Sequence, residues 1–307
     1  MIPRIAIACG DPAGIGPEIS LKAALDPRVR AICRPVLFGD PKILEMHAGP
    51  AGLSLKGIEI HEVKQEKPQI GKIAPAHGRA IIAAAEAAIR AALAGEFDAV
   101  VGAPHTEAAI HAAGIEFDGY PSFVARVAGL PPEDGILMLC FEYQGREMRI
   151  AHVTLHASVR NSLGFITRDR ILKTLRAVHR FLPKPRIAVG GVNPHAGEAG
   201  AFGREELDVI APALEQARRA GMAIDGPYGA DTLIQRKGYD AYLVMLHDQG
   251  HVAAKLLAPN RAAALTIGTP VLFSSVGHGS ALDIAGRGRA DATAMREAIT
   301  RLVGGRP

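Results

Sequence analysis

Tryptophan is absent from the 307 residues, and only 5% of them are aromatic. No stripe of Lys and Arg interleaved with aromatics occurs, so the chain lacks the footprint that nucleic-acid binding needs. The net charge of +4 and the pI near 9.0 then fit a small anionic substrate at least as well as a nucleic acid. Cysteine is equally sparse: Cys9, Cys33 and Cys140 stand apart with no CxxC spacing. That excludes a disulfide framework and leaves three reduced thiols, as in a cytoplasmic protein. No apolar run is long enough to span a bilayer, and Met1-Ile2-Pro3-Arg4 leads into a strand rather than a signal peptide. The glycine-rich turn Gly10-Asp11-Pro12-Ala13-Gly14-Ile15-Gly16 lacks G-x-G-x-x-G, which argues against a Rossmann loop. Repeats, long linkers and low-complexity stretches are missing too, apart from one alanine-rich helix.

What remains is a strand–helix alternation. With 48% hydrophobic and 21% charged residues, the chain can bury one large or two medium cores. Short apolar runs at 5–9, 34–40, 98–104, 136–140, 187–192 and 241–246 predict strands. A hairpin partner is expected from 146 to 156. Helices are expected after Pro17 and Pro41, over 78–95, to about 127, and over 168–181, 205–219 and 291–302. Residues 49–76 read as irregular. This pattern predicts an α/β sheet protein.

The chemistry concentrates where strands end. Residues 241–246 run into His247-Asp248-Gln249-Gly250-His251, with Lys255 on the same expected loop. His156 ends Ile150-Ala151-His152-Val153-Thr154-Leu155, and His195 follows the run from Ile187 to Pro194. An α/β sheet presents ligands at the carboxyl ends of its strands. Three such histidines could therefore meet at one divalent metal that keeps open positions for substrate. Each could instead be a hydrogen-bonded structural residue, and the same set would also serve a metal-dependent hydrolase or aldolase. His152 and His251 read as structural. A second constellation, Val276-Gly277-His278-Gly279-Ser280-Ala281-Leu282-Asp283-Ile284-Ala285-Gly286-Arg287-Gly288, has a backbone that can approach a ligand closely. Asp283 could accept from ribose hydroxyls and free N–H groups could hold phosphate, or the segment is a tight turn before the last helix.

Gly10-Asp11-Pro12-Ala13-Gly14-Ile15-Gly16-Pro17-Glu18, Asn193-Pro194-His195-Ala196-Gly197-Glu198, His247-Asp248-Gln249-Gly250 and His278-Gly279-Ser280-Ala281-Leu282-Asp283-Ile284-Ala285-Gly286 together resemble the 4-hydroxythreonine-4-phosphate dehydrogenase (PdxA) family, in order and over nearly the whole chain. The resemblance implies a two-domain α/β/α fold of the isocitrate/isopropylmalate dehydrogenase type, with the active site in the interdomain cleft. An NAD-side unit would comprise residues 1–120 plus 265–307. The middle unit, 121–264, would carry the metal ligands and the dimer interface. His156, His195 and His247 become the metal ligands, shared across a homodimer, and Lys255 a substrate contact. Gly277, His278, Gly279, Ser280, Ala281, Asp283 and Gly286 become the NAD-binding loop.

Two departures redirect the substrate. Gly119-Tyr120-Pro121-Ser122 stands where family members handling phosphorylated hydroxythreonine carry Gly-His-Thr-Glu, and the family's substrate-binding Asn and Arg fall on Ala264 and Phe273. A phosphate monoester would miss those donors. The stretches around His105, His156, His247 and Lys255 look instead like the terephthalate dihydrodiol dehydrogenases. Those enzymes oxidise 1,2-dihydroxy-3,5-cyclohexadiene-1,4-dicarboxylate with NAD and release CO2, giving protocatechuate. The expected function is therefore NAD- and metal-dependent oxidative decarboxylation of such a dihydrodiol. A dehydrogenase of a phosphorylated hydroxy acid, such as 4-hydroxythreonine-4-phosphate or threonate or erythronate phosphate, is the alternative. Imidazole ligands suit zinc, cobalt or manganese more than magnesium. Asp248, Lys255 and Asp231 are candidates for proton transfer, with metal-ligand orientation the rival role for Asp248 and helix capping for Asp231. His105, Tyr120, Ser122, Arg160 and Lys255 are candidates for holding the substrate.

Overall fold

The computed structural model describes residues 2–304. Met1 and residues 305–307, which the expected NAD-side unit includes, lie outside the described residues. Strands β1 (Arg4–Ala8), β2 (Arg34–Gly39), β3 (Glu59–Glu62), β4 (Ala99–Gly102), β5 (Ile136–Tyr143), β6 (Arg146–His152), β7 (Arg186–Gly190), β8 (Ala223–Tyr228), β9 (Ala241–Val244), β10 (Ala263–Ile267) and β11 (Phe273–Val276) form one sheet. Their order is β3-β2-β1-β4-β11-β10-β5-β6-β9-β7-β8. Parallel pairs build both flanks: β3, β2, β1, β4 and β11 on one side, β6, β9, β7 and β8 on the other. Between them β10 pairs antiparallel with both β11 and β5, and β5 pairs antiparallel with β6.

The inner strands of the flanks, β1, β4 and β9, are apolar because helices cover both faces, whereas the edge strands β3 and β8 carry polar residues. On β1, Ile5 and Ile7 belong to one buried cluster and Ala6 and Ala8 to another, as the two-residue period of a strand dictates. Helices Gly16–Leu25 and Thr293–Gly304 supply Ile19, Leu21, Met295 and Ile299 to the first layer. The alanine-rich helix Pro75–Leu93 brings Ile81, Ile82, Ala85 and Ile89 to the second. A third cluster lies beneath helix His247–Leu257, where Leu137, Leu139, Ile150, Tyr242 and Val244 meet Ala254 and Ala258.

Several elements differ from expectation. Residues 49–76 contain β3, a parallel edge strand, and β8, β10 and β11 are further strands beyond those expected. The strand before His156 stops at His152. His247, Asp248 and Lys255 lie on a helix rather than a loop. The start of the expected helix at 205–219 is wound as a π-helix over Glu206–Ile210. No helix among the described residues is long and apolar enough to cross a membrane.

Candidate active site

Each residue of His247-Asp248-Gln249-Gly250 has a distinct physical task. Gln249 replaces the missing capping residue: its Oε1 accepts from the N–H groups of Met245 (2.9 Å) and Leu246 (3.0 Å), and its Nε2 donates to Gly191 O (3.0 Å). The helix start is thereby tied to β9 and to the end of β7. Gly250 permits close approach to β6, since a Cβ there would meet the His152 ring. His247 projects from the first turn with Nδ1 held by Asp248 Oδ1 at 2.7 Å, and that bond keeps the Asp248 carboxyl below its ordinary pKa. Asp248 is thus engaged in orienting His247, which favours orientation over proton abstraction.

His156 is pinned in the same way. Its Nδ1 donates to Asp118 O at 2.7 Å. Gly119 makes room beside it, with φ +111° and space for a Cβ only 3.0 Å from His156 Nδ1. The rings of His156 and His247 stand 5.5 Å apart, centroid to centroid. Both have Nδ1 engaged and Nε2 left as the free lone pair, so they suit one cation bonded at about 2.0–2.1 Å. His251 stacks on His247 at 3.7 Å and 8°, its Nδ1 bonded to His247 O at 3.1 Å. Burial, then the neighbouring His247, pushes its pKa down to about 4, so it is neutral near pH 7.

His195 does not join this pair within one chain. Among the described residues no three His, Cys, Asp or Glu side chains are assembled for a metal. The histidines do follow three strands adjacent in the sheet, β6, β9 and β7, but the segment after β7 carries His195 outward. His195, Ala196, Glu198 and Ala199 take left-handed φ of 51°, 52°, 41° and 54°. Such backbone costs about 1–2 kcal/mol per L-residue. The buried Glu206 carboxylate holds it, accepting from Val192 N (2.7 Å), Asn193 N (2.8 Å) and Asn193 Nδ2 (2.9 Å). The His195 ring is exposed, 6.1 Å from that of exposed Phe202.

A cavity of about 770 Å³ opens beside His156 and His247. Leu137 and Leu139 alternate on β5, and Ala264 pairs with Leu139, so these three side chains share one face. Together they form an apolar floor to the cavity, whose rim carries His105, Glu107, Lys255, Asn260 and His278. His105 packs edge-on against Phe117 and Tyr120, with Nε2 3.8 Å from Glu107 Oε1, which lowers the pKa of that carboxyl. Tyr120 is buried, and its hydroxyl donates to Ala103 O at 3.3 Å. Lys255 is exposed and has no ion-pair partner among the described residues. Gly277, His278 and Gly279 line the cavity; Ser280 is buried behind them, while Asp283 is exposed and Ala281 and Gly286 have positive φ.

Other candidates stand apart from the lining. The Ser122 hydroxyl is engaged by Asp118 Oδ1 and Gly119 O. Arg160 is exposed on helix Val159–Phe165, and Asp231 is exposed in the first turn of Ala230–Leu233, whose cap position is Gly229. Phe273 is buried on β11 against Tyr120, outside the lining. Sequence reasoning missed His251, although His247, His251 and Lys255 recur every four residues, as one helix face requires. It also missed the floor leucines, whose alternation is visible on β5.

The family model described as "Pyridoxal phosphate biosynthetic protein PdxA" matches residues 31–302. A 1,2-dihydroxy-3,5-cyclohexadiene-1,4-dicarboxylate dehydrogenase from Comamonas sp is 46% identical, covering 99% of this chain and 98% of that protein. The solved terephthalate 1,2-cis-dihydrodiol dehydrogenase of Burkholderia xenovorans is 39% identical with a TM-score of 0.71, over 99% and 98% of the two chains. The 4-hydroxythreonine-4-phosphate dehydrogenase of Klebsiella pneumoniae is 30% identical with a TM-score of 0.85, over 99% and 98%. At 16% identity and a TM-score of 0.54, covering 98% of this chain and 85% of the other, the isocitrate dehydrogenase of Methylococcus capsulatus shares the fold alone.

Proposed function

The chain belongs to the PdxA family, and we propose that it is an NAD- and divalent-metal-dependent dehydrogenase that oxidises and decarboxylates a carboxylated cis-dihydrodiol of the terephthalate type. The dehydrogenase names of its relatives support an oxidoreductase, and the Comamonas relative favours the dihydrodiol. The observation that carries the reading is the lining of the cavity. An apolar floor of Leu137, Leu139 and Ala264 suits the face of a carbocycle, and the imidazoles and Lys255 surround it with groups for anions. Lys255 lies two turns beyond His247, about 12 Å along the helix axis. With the reach of its side chain, that separation suits a ring carrying carboxylates at opposite ends.

When bound, a divalent cation supplies Lewis-acid polarisation of the carbinol oxygen and its neighbouring carboxylate, and nicotinamide takes up the hydride. His156 and His247 would hold the cation, and residues 277–286 the dinucleotide. Asp118 and Asp248 keep the two imidazoles in the tautomer that leaves Nε2 free. Lys255 holds the far carboxylate and so orients the ring on the floor. The apolar floor excludes water from the carbon skeleton. Oxidation of the secondary alcohol yields a β-keto acid; its C–CO2 bond breaks, the electron pair enters the ring, and protocatechuate results.

A second copy of the chain would bring the third imidazole. What supports this is that His195 is exposed beside exposed Phe202, and that Val252 and Leu256 are exposed on the helix bearing His247. The deciding experiment gives metal-loaded enzyme NAD and the dihydrodiol, following NADH absorbance and protocatechuate. NADH without CO2 would remove the decarboxylation. Turnover of a phosphorylated hydroxy acid alone would replace the reading with the alternative that the Klebsiella structure's likeness supports.

A further inference from the structure

The segment after β11 is anchored to the N-terminal turn at two points. At its far end, Lys22 Nζ donates to Gly288 O (3.2 Å) and Ala290 O (2.7 Å), and the buried Glu18 carboxylate accepts from Ala290 N (2.8 Å). At its near end, Ile15 N donates to Ser280 O at 2.9 Å, and Gly14 lies so close that a Cβ there would come within 2.6 Å of Ser280 Cβ.

The near end has a second, side-chain attachment. Thr106 Oγ1 bonds Asp11 Oδ2 and lies 2.9 Å from Ser280 Oγ. Asp11 is buried, and its other oxygen accepts from Ala13 N at 2.8 Å. A carboxylate only accepts and a hydroxyl carries one proton, so the order is fixed: Ser280 donates to Thr106, and Thr106 donates to Asp11. Thr106 stands between His105 and Glu107, both on the rim of the cavity. One side chain therefore joins the substrate wall to the glycine-rich loop.

We infer that Thr106 is a positioning residue for dinucleotide binding: its hydroxyl latches Ser280 to Asp11 and holds the loop in the shape that receives the cofactor. The inference rests on the assignment of residues 277–286 to NAD. Without the latch, the loop must be ordered at the moment of binding, and affinity falls by the population of the competent shape. The latch lies behind the rim, so the dihydrodiol's own contacts are untouched.

The test measures the Kd of NAD and NADH by fluorescence titration, together with KM values for NAD and dihydrodiol. For Thr106→Val, loss of the hydrogen bonds to Asp11 and Ser280 raises the dinucleotide Kd roughly tenfold or more, with the KM of dihydrodiol nearly unchanged and the thermal midpoint lowered by the unpartnered buried Asp11 oxygen. Thr106→Ser restores wild-type affinity. Ser280→Ala weakens binding similarly, and the double variant Thr106→Val/Ser280→Ala is no weaker than either single one. An unchanged Kd in Thr106→Val, or additive losses in the double variant, overturns the inference. Wild-type protein that binds no dinucleotide would overturn the loop assignment itself.

Discussion

Gly250 lies so close against His152 that a Cβ on the glycine would come within 2.2 Å of the imidazole Nε2. This contact sets how deeply helix His247–Leu257 seats on β6, and with it the height of His247. Gly250→Ala gains about 1 kcal/mol of helix propensity and loses about 1–3 kcal/mol by overpacking. The expected result is a lower urea midpoint together with weaker metal binding. A midpoint at or above wild type would show that the helix seats elsewhere.

His152 also predicts an acid response. It is buried, neither ring nitrogen has a hydrogen-bond partner among the described residues, and burial pushes its pKa down to about 3. Between the ordinary value near 6.5 and about 3, the unfolded chain binds a proton that the folded chain refuses. Stability from this group is full above pH 6.5 and is lost as pH falls towards 3. Urea unfolding across that window should show a shallower acid loss in His152→Leu than in wild type. Parallel curves would refute the assignment.

Asp248 is expected to act on the metal through His247. Asp248→Asn should weaken divalent-metal affinity by about 10–100-fold, as loss of an outer partner of a ligand histidine does. Metal titration by calorimetry reads this directly, and activity should recover at saturating metal. Loss of activity that excess metal does not restore would return proton transfer to Asp248.

The left-handed segment at His195 depends on Glu206. Glu206→Leu removes the acceptor for the half-buried N–H groups of Val192 and Asn193, at about 1 kcal/mol each, while Asn193 Nδ2 keeps Glu205 Oε2 at 2.6 Å. Faster amide exchange over residues 192–200 should follow, before any change at the His156–His247 pair. Equal exchange in both proteins would mean that the strain is held by other contacts.

Lys255→Met keeps the aliphatic stem and removes the charge. A higher KM for dihydrodiol, with NAD affinity unchanged, is expected from steady-state kinetics. If instead kcat falls at constant KM, Lys255 serves the chemistry rather than binding.

Much of this was legible in the residues themselves. Apolar runs located β1, β2, β4, β5, β7 and β9, and strand-end position singled out His156, His195 and His247 alike, with the polar, glycine-containing turns around His195 and His247 adding weight to those two. Helix His247–Leu257 was hidden because no Ser, Thr, Asp or Asn precedes it and a glycine interrupts it; its cap is a glutamine side chain inside the first turn. β10 begins in Ala262-Ala263-Ala264-Leu265, a composition that favours helix as readily as strand, and β11 carries Ser274 and Ser275 in its middle, so neither stood out as a strand. The placing of His195 was beyond reach for another reason. Its left-handed backbone is held by Glu206, and nothing in local spacing announces that dependence.

The strand order also acts as a ruler. From β11, which leads into the glycine-rich loop, to β6, which leads towards His156, the sheet crosses only β10 and β5. Three interstrand spacings make roughly 14 Å, the width that, on the proposed function, would have to take a nicotinamide and one six-membered ring side by side. Longer side chains on the floor would shrink the chamber but could not widen that gauge, so broader substrates require a different number of strands rather than a different lining.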